Sequence, residues 1–149
     1  GRDVKLMILD NGPERENLEQ KIEKLGLENF VTMYGHQKYI VDFLIASDLV
    51  IQPSIEESSN QVVKEAAIQG KTAIVTKHIG DFDDYIIDKQ NAFFIEKDIT
   101  PEKLADLIEE IYLKKYDLKA MATVLEKEVR NRFSIENTAT QYLKISEIL

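Results

Sequence analysis

The segment ASDLVIQPSIEESSNQVVKEAAIQGKTAIVT (residues 46–76) carries the pattern that decides the fold. Its apolar run at 48–54 is typical of a buried strand, and a helical pattern at 60–69 follows a short polar junction. Gly70 is placed to end that helix, and the apolar run at 71–76 is typical of a second strand. We therefore predict two strands joined by a helix, the unit from which parallel sheets are built.

The same alternation of strand and helix continues along the rest of the chain. The strand segments are almost continuously apolar, which is typical of parallel strands covered on both faces. We predict a single α/β domain over residues 1–149, with a parallel sheet flanked by helices. The predicted strands are 4–9, 29–35, 48–54, 71–76 and 91–95, and the predicted helices are 14–25, 39–47, 60–69, 98–115, 117–131 and 134–148.

The composition narrows the class of protein. With 149 residues, 44% of them hydrophobic, the chain is long enough for one domain with a core. A formal charge of −8 argues against sequence-independent binding of nucleic acid. The chain contains no cysteine, which excludes disulfides and thiolate metal sites and is compatible with the cytosol. His36 and His78 are too far apart in sequence to suggest a zinc site.

The polar junction between strand and helix has two interpretations. Ser58, Ser59 and Asn60 are good N-cap residues, and acids such as Glu57 are favoured near the positive end of a helix. A capped surface helix explains the junction completely. A helix start that follows a parallel strand also offers free backbone N–H groups to a phosphate or another anion. The spacing of Glu57 and Glu65 adds little by itself, because acids are frequent in this chain.

Other segments carry weaker signals. DNGPE (10–14) is a tight turn before a helix, but the chain has neither G-x-G-x-x-G nor a Walker-type G-K-S/T. The dinucleotide and P-loop classes therefore lose most of their support. KHIGDFDD (77–84) holds three aspartates that could bind a divalent cation, although a solvated loop is the commoner explanation.

Taken in order, the segments resemble the C-terminal domain of the GT-B glycosyltransferases of retaining family 4, also called group 1. The resemblance extends over nearly all of the chain. It rests on ILDNGPERENL (8–18), VTMYG (31–35), the quoted segment 46–76, IGDFDDYI (79–86), NAFFI (91–95) and RFSIENTATQYLKI (132–145).

The resemblance implies a Rossmann-like domain that binds a nucleotide-diphosphate sugar. It implies a hexosyltransferase-like enzyme in which a separate N-terminal domain holds the acceptor, which is a glycan, a lipid or another molecule. It also implies polysaccharide biosynthesis in the cytoplasm or at the inner face of the membrane, with the full enzyme peripherally attached. Neither a metal nor another cofactor is expected.

The resemblance also implies roles for individual residues. Glu57 matches the family glutamate that contacts the donor sugar hydroxyls, and Glu65 matches the one that holds the ribose. Carboxylates suit both tasks because they accept hydrogen bonds from hydroxyls. The backbone of Ser58, Ser59 and Asn60 is expected to face the donor sugar or diphosphate.

A second loop completes the expected donor site. Gly35, His36 and Gln37 match the family loop that borders the nucleobase. We assign no residue a catalytic role, because the expected chemistry is chiefly the positioning of the donor and the stabilisation of its departing diphosphate.

The chain departs from the family pattern at several positions. Ser58 and Asp81 stand where the family has glycine, and so does Ala92. Ser59 replaces an aromatic residue, and Asp84 replaces a glutamate. These substitutions are expected to affect how the donor is bound and whether the protein is active.

The family's basic residues for the diphosphate come from a strand and helix that do not precede Val4, so we expect a fragment that is inactive alone. Lys64, Lys71 and Lys77 are candidate replacements. Two alternatives stay open, a non-catalytic partner subunit of a glycosyltransferase complex and an unrelated flavodoxin-like regulatory domain.

Overall fold

The structure is a computed structural model that describes residues 4–9 and 11–146. The chain forms two compact units, Gly1–Ile40 and Val41–Leu149. Asp10 of the predicted turn and the last two residues of the helix predicted at 134–148 lie outside the described part of the chain.

Strands and helices follow one another in the predicted order, with one additional short helix between the fourth and fifth strands. The elements are β1 Leu6–Leu9, α1 Arg15–Lys24, β2 Val31–Gly35, α2 Ile40–Ala46, β3 Leu49–Gln52, α3 Gln61–Ile68, β4 Thr72–Thr76, α4 Phe82–Tyr85, β5 Phe93–Ile95, α5 Pro101–Tyr112, α6 Leu118–Phe133 and α7 Ile135–Ser146.

The second unit is built on a parallel sheet with the strand order β3-β4-β5. Leu49 pairs with Thr72 at the start of β3, and Ile74 pairs with Phe93 on the other side of β4. All five residues of the central strand β4 are buried. Burial on both faces explains why this strand is apolar without alternation, and the predicted parallel α/β class is confirmed.

Helices cover both faces of this sheet. Val75 lies in one core cluster, together with Val63 of α3 and Leu125 of α6. Its neighbour in the strand, Ile74, points to the opposite face of the sheet and lies in a second core cluster with Ile111 of α5. Alternate residues of β4 therefore serve two separate cores, as the period of two in a strand requires.

The first unit contains the parallel pair β1-β2, joined through α1. Leu6 pairs with Val31 and Leu9 with Gly35, with an irregularity between Ile8 and Leu9. Among the described residues the five strands thus form two hydrogen-bonded groups, of two and three strands.

Most predicted elements are shorter in the structure, for identifiable reasons. β3 ends at Gln52 because Pro53 has no backbone N–H to donate to a neighbouring strand. β5 begins at Phe93, two residues later than predicted, because the Asn91 side chain bonds the Ile87 N–H and the Tyr85 carbonyl and holds a turn. α5 begins at Pro101, after its cap Thr100.

No helix in the described ranges is both long enough and apolar enough to cross a bilayer.

Candidate functional site

The carboxyl ends of the three strands of the second unit define one edge of its sheet. Gln52 ends β3 and Thr76 ends β4. The junction 53–60 leaves the sheet beside the segment 77–81, as parallel pairing of the two strands requires. This is the edge at which open parallel sheets hold their ligands.

Glu57 lies half-buried in the junction, with its carboxylate fixed by three side chains. Its Oε1 accepts hydrogen bonds from Ser54 Oγ at 2.9 Å, from Asn60 Nδ2 at 2.8 Å and from Gln52 Nε2 at 3.3 Å. Gln52 Nε2 also donates to Ser54 Oγ at 2.8 Å. The other oxygen, Oε2, accepts no hydrogen bond from a described residue, so one carboxylate oxygen is held and the other is left to accept from a ligand.

Asn60 is the N-cap of α3. Its Oδ1 accepts a hydrogen bond from the backbone N–H of Val63 at 2.9 Å. Of the three predicted capping residues, Asn60 alone caps this helix. The simple capping explanation of the junction is therefore correct for Asn60, and the same side chain also holds Glu57.

Gly80 brings the loop after β4 against the junction. Its φ is +58°, and a Cβ at this position would lie 3.0 Å from Glu57 Cβ and 3.3 Å from the Ser58 carbonyl oxygen. Ser58 itself is exposed. A side chain at residue 80 would push on the junction, so the family glycine that this chain retains has a steric reason.

Asp81, which replaces the second family glycine, forms an ion pair with Lys64. The two charged atoms, Lys64 Nζ and Asp81 Oδ2, are 2.5 Å apart, and only 7% and 15% of the respective side chains are exposed. Ser59 completes what we call the Lys64–Asp81–Ser59 cluster, because its hydroxyl donates to Asp81 Oδ2 at 3.0 Å and accepts from Lys64 Nζ at 2.6 Å. Since φ at Asp81 is −103°, the replacement of glycine causes no backbone strain.

The three candidate lysines for a diphosphate differ in availability. Lys64 is buried in its ion pair. The ammonium of Lys71 donates to the carbonyls of Ile45 and Ser47 at 2.8 and 2.6 Å. Both lysines are therefore committed to the fold. The half-buried Lys77 has no side-chain hydrogen bond or ion pair within the described part of the chain and follows β4 directly.

Tyr85 lies near the Lys64–Asp81–Ser59 cluster. It is 2% exposed, and its hydroxyl has no hydrogen-bond partner among the described residues. Burial raises the pKa of the Tyr85 phenol, and the negative charges of Asp81 and Glu57 raise it further. The hydroxyl thus stays neutral next to two carboxylates.

Glu65 lies on the exposed face of α3, and its side chain makes no hydrogen bond or ion pair with a described residue. It borders a cleft of about 380 Å³ between α3 and the end of α6. Gln61 and Ile68 line this cleft from α3, and Arg130 and Phe133 line it from α6. Glu65 is therefore accessible to a ligand, whereas Glu57 is fixed at the sheet edge.

The loop 35–37 belongs to the first unit. Gly35 is buried with a φ of +70°, and a Cβ there would lie 3.2 Å from both Asn11 Oδ1 and Arg15 Nη1. Gln37 Nε2 donates to the Tyr34 carbonyl at 2.8 Å, and His36 is exposed. The glycine is needed for a close approach, and the loop keeps a defined conformation.

The acidic loop at 77–84 holds His78, whose Nδ1 lies 3.3 Å from Asp83 Oδ2. Within the described ranges, no three His, Cys, Asp or Glu side chains are grouped so as to hold a metal ion. Ala92, the third departure from a family glycine, is buried and is not among the residues with positive φ. An alanine therefore fits there without strain.

Three site residues were not singled out from the sequence. Gln52 and Ser54 hold Glu57, and Tyr85 lies close enough for the charge of Glu57 to raise its pKa. The position of Gln52 and Ser54 as polar residues at the carboxyl end of the predicted strand 48–54 is a usable signal. Nothing in the pattern around Tyr85 distinguishes it from an ordinary core aromatic.

Residues 1–132 match the family model described as glycosyl transferases group 1. The chain belongs to this family. The match includes β1 to α5 and nearly all of α6, so it covers the complete junction and the residues that surround it.

Individual relatives of this group 1 glycosyltransferase are more distant. The chain is 26% identical over 144 residues to the gpi3 subunit of the phosphatidylinositol N-acetylglucosaminyltransferase of Schizosaccharomyces pombe, covering 95% of this chain and 31% of that protein. It is 36% identical over 75 residues to the lipopolysaccharide core biosynthesis glycosyltransferase LpsD of Rhizobium meliloti, covering 50% and 22%.

Solved structures share the fold. HepE from Anabaena, determined in complex with UDP, superposes with a TM-score of 0.86 at 24% identity, over 98% of this chain and 41% of HepE. A glycosyltransferase from Rickettsia africae gives 0.80 at 25% identity, over 97% and 39%. The chain therefore spans about two fifths of these structures, and the Rossmann-like class of its fold is established.

Proposed function

We propose that this chain is the nucleotide-sugar-binding, C-terminal domain of a retaining glycosyltransferase. The observation that carries the proposal is the Glu57 carboxylate, which is held through one oxygen by three donors and keeps the other for a ligand. A carboxylate in this state is a pure acceptor, suited to the hydroxyls of a sugar. Its position directly before the N-terminus of α3 brings it close to backbone N–H groups that favour a diphosphate.

We assign the binding roles as follows. Glu57 accepts from the donor sugar hydroxyls, and the backbone of Ser58, Ser59 and Asn60 faces the sugar or the diphosphate. Glu65 accepts from the ribose hydroxyls. Its exposure and its freedom from internal hydrogen bonds support this role. The loop of Gly35, His36 and Gln37 borders the nucleobase.

Membership of the family supports a transfer reaction rather than binding alone. HepE, which shares the fold, was determined with UDP and with UDP-glucose, which supports a nucleoside diphosphate hexose as the donor. The names of the gpi3 subunit and of LpsD support an acceptor in a glycolipid or cell-surface polysaccharide. We infer that the reaction takes place in the cytoplasm, at the inner face of the membrane.

Transfer also needs an acceptor site. We propose an N-terminal acceptor domain in the same enzyme, because the chain spans only 31% of the gpi3 subunit and 41% of HepE. The acceptor oxygen would bond the anomeric carbon as the bond to the diphosphate breaks, and the hydroxyl proton would pass to an oxygen of the departing nucleoside diphosphate. Lys77 is the lysine of the site that can still pair with this diphosphate. We propose that no metal or other cofactor is required and that the isolated chain turns over no donor.

Ligand-observed NMR with UDP-, GDP- and ADP-glucose tests the proposal. We expect one of the three to bind, and Glu57→Gln to weaken the sugar nucleotide more than the free nucleoside diphosphate. Glu65→Ala should weaken both equally, because both contain the ribose. If none of the three binds to the natural full-length protein, the proposal is wrong.

A non-catalytic nucleotide-sugar-binding subunit is the second candidate. Ser58 and Asp81, which replace family glycines at the site, favour it. The two candidates differ in turnover by the natural full-length protein. Release of nucleoside diphosphate from a bound sugar nucleotide in the presence of a glycan or lipid acceptor supports the enzyme, and binding without release supports the subunit.

A further inference from the structure

A lysine in the middle of α3 is buried instead of pointing to solvent. Lys64 is 6% exposed, and its ammonium donates to Ser59 Oγ and to Asp81 Oδ2 at 2.6 and 2.5 Å. The ring of Phe133 lies 4.2 Å from the same nitrogen, and the ring of Tyr85 lies at 5.8 Å. The charge is therefore compensated by one carboxylate, one hydroxyl and two aromatic faces.

The hydrogen of the Ser59 hydroxyl is engaged within this cluster. It donates its one hydrogen to Asp81 Oδ2 at 3.0 Å and accepts from Lys64. A hydroxyl has a single donor, so Ser59 has none left for a ligand. Its side chain therefore donates no hydrogen bond to a ligand, and its bonds to Lys64 and Asp81 hold the backbone of the junction in place.

The cluster is one of several contacts that join the junction to its surroundings. Gly80 meets the backbone of Glu57 and Ser58 with no room for a side chain. Asn60 connects Glu57 to the start of α3. Ser59 directly precedes Asn60 in the junction, and its hydroxyl is hydrogen-bonded to both Lys64 and Asp81. The cluster thus fixes the residue from which the junction turns into the helix.

The charge of Asp81 gives Lys64 a second task. An aspartate at the position of a family glycine brings a negative charge to the edge of the sheet, next to Glu57. A diphosphate bound there would be repelled by an uncompensated carboxylate. Lys64 supplies the compensating positive charge at direct contact, in a place where water screens little.

We propose that Lys64 and Asp81 are positioning residues for the donor site, which hold Ser59 and thereby the amides of 58–60 against the sugar-bearing diphosphate. The proposal rests on the function proposed above. It explains how this chain retains a donor site with an aspartate in place of the family glycine. The cluster acts on the ligand through Ser59 and through charge balance, without contacting it.

The test uses the natural full-length protein and whichever of UDP-, GDP- and ADP-glucose it binds, together with the corresponding free diphosphate. Lys64→Met leaves Asp81 uncompensated, and we expect it to weaken binding of the sugar nucleotide at least tenfold. Adding Asp81→Asn removes the uncompensated charge at nearly constant volume. We expect the double variant to bind the sugar nucleotide at least fivefold more tightly than Lys64→Met alone. If the cluster has only a structural role, the two substitutions should change the stability of the protein but leave the ligand affinity of the folded molecules unchanged.

Ser59→Ala keeps the ion pair and removes only the link to the junction, so it tests the proposal even if Lys64→Met fails to fold. We expect it to weaken the sugar nucleotide and the free diphosphate by a similar factor, about fivefold, because the amides that Ser59 positions face the diphosphate that both ligands carry. The matched control is Lys115→Met with Glu110→Gln, an exposed ion pair on α5 and its following turn, which should change neither affinity.

The outcomes separate the two proposals. If the wild-type protein binds none of the sugar nucleotides, the proposed function and this inference both fail. If it binds one of them, but Lys64→Met and Ser59→Ala both bind it with the wild-type affinity, only the positioning role is overturned.

Discussion

Asn60 joins a helix start to a carboxylate with a single side chain. Its Nδ2 donates to Glu57 Oε1 at 2.8 Å while its Oδ1 accepts from the Val63 N–H at 2.9 Å. Both ends of a 6% exposed amide are therefore occupied, and its orientation is defined. Any change in the geometry of the α3 cap is transmitted directly to the proposed sugar-binding carboxylate.

We expect the two functions of Asn60 to separate on substitution. Asn60→Asp keeps the cap acceptor but places a second carboxylate against Glu57, so it should weaken sugar-nucleotide binding about tenfold. Asn60→Ala loses the cap as well and should lower the free energy of unfolding by about 1 kcal/mol or more. Urea denaturation and ligand-observed NMR measure the two effects.

Thr100→Ala is the control for the cap, because Thr100 caps α5 in the same way through the Lys103 N–H. It should lower the free energy of unfolding by a similar or smaller amount without changing nucleotide affinity. Equal binding by wild type and Asn60→Asp would contradict the link between the cap and Glu57.

Glu65→Ala should weaken nucleotide binding at least tenfold and leave stability unchanged to within about 0.5 kcal/mol. The reason is that the Glu65 side chain is exposed and makes no hydrogen bond or ion pair with a described residue. Glu23→Ala, an exposed acid of α1, is the matched control and should alter neither quantity. A nucleotide affinity that survives Glu65→Ala would remove Glu65 from the ribose site.

Gly80→Ala should destabilise the protein more than Gly26→Ala. Both glycines have positive φ, of +58° and +65°, which costs about 1–2 kcal/mol for a residue with a Cβ. At Gly26 nothing lies within 4 Å of the added Cβ, whereas at Gly80 it meets Glu57 Cβ at 3.0 Å. We expect an additional loss of about 1 kcal/mol from this overlap.

The same overlap should also lower the affinity for the ligand. Because the added methyl group presses on Glu57, Gly80→Ala should weaken the sugar nucleotide, and Gly26→Ala should not. Urea denaturation of the two variants side by side, followed by titration with the sugar nucleotide, provides the comparison. Equal losses of stability would mean that residue 80 tolerates a side chain.

Tyr85→Phe should leave the free energy of unfolding at pH 7 unchanged or slightly raised. The hydroxyl it removes is buried without a hydrogen-bond partner among the described residues, so no internal bond is lost. Because the folded pKa of Tyr85 lies above its ordinary value of 10.0, the unfolded chain ionises first as the pH rises. Stability from this group is complete below pH 10 and decreases above it.

The variant should therefore lose stability less steeply than wild type above pH 10. Tyr142→Phe is the control, since Tyr142 is 71% exposed and should not change the slope. Urea denaturation followed by circular dichroism at pH 7, 9, 10 and 11 measures it. Identical slopes for wild type and Tyr85→Phe would show that the folded phenol ionises normally.

Much of the fold follows from local sequence. The apolar run of β4 and the cap-bearing start of α3 are properties of a few neighbouring residues. The choice of Asn60 among three candidate caps was not predictable, because serine and asparagine cap about equally well. Element ends were also set by non-local bonds, such as those of Asn91 before β5.

The proposed donor site was predictable from the sequence only in part. Glu57 and Glu65 were identified from motif resemblance, and both lie in positions compatible with ligand contact. The fate of Lys64 was not predictable, because its ion-pair partner Asp81 is 17 residues away. A lysine within a helical pattern is ordinarily solvated, and only the packing of α4 and α6 around it excludes water here.

The sequence by itself determined the alternation of strands and helices, the parallel class of the sheet and the edge at which a ligand is expected. Those properties depend on the period of apolar residues and on local turn chemistry, which neighbouring residues supply. Only the tertiary structure decided that one oxygen of Glu57 is held and that Lys64 is buried on Asp81. Charge pairing and burial depend on which distant segments meet, and local periodicity does not encode that meeting.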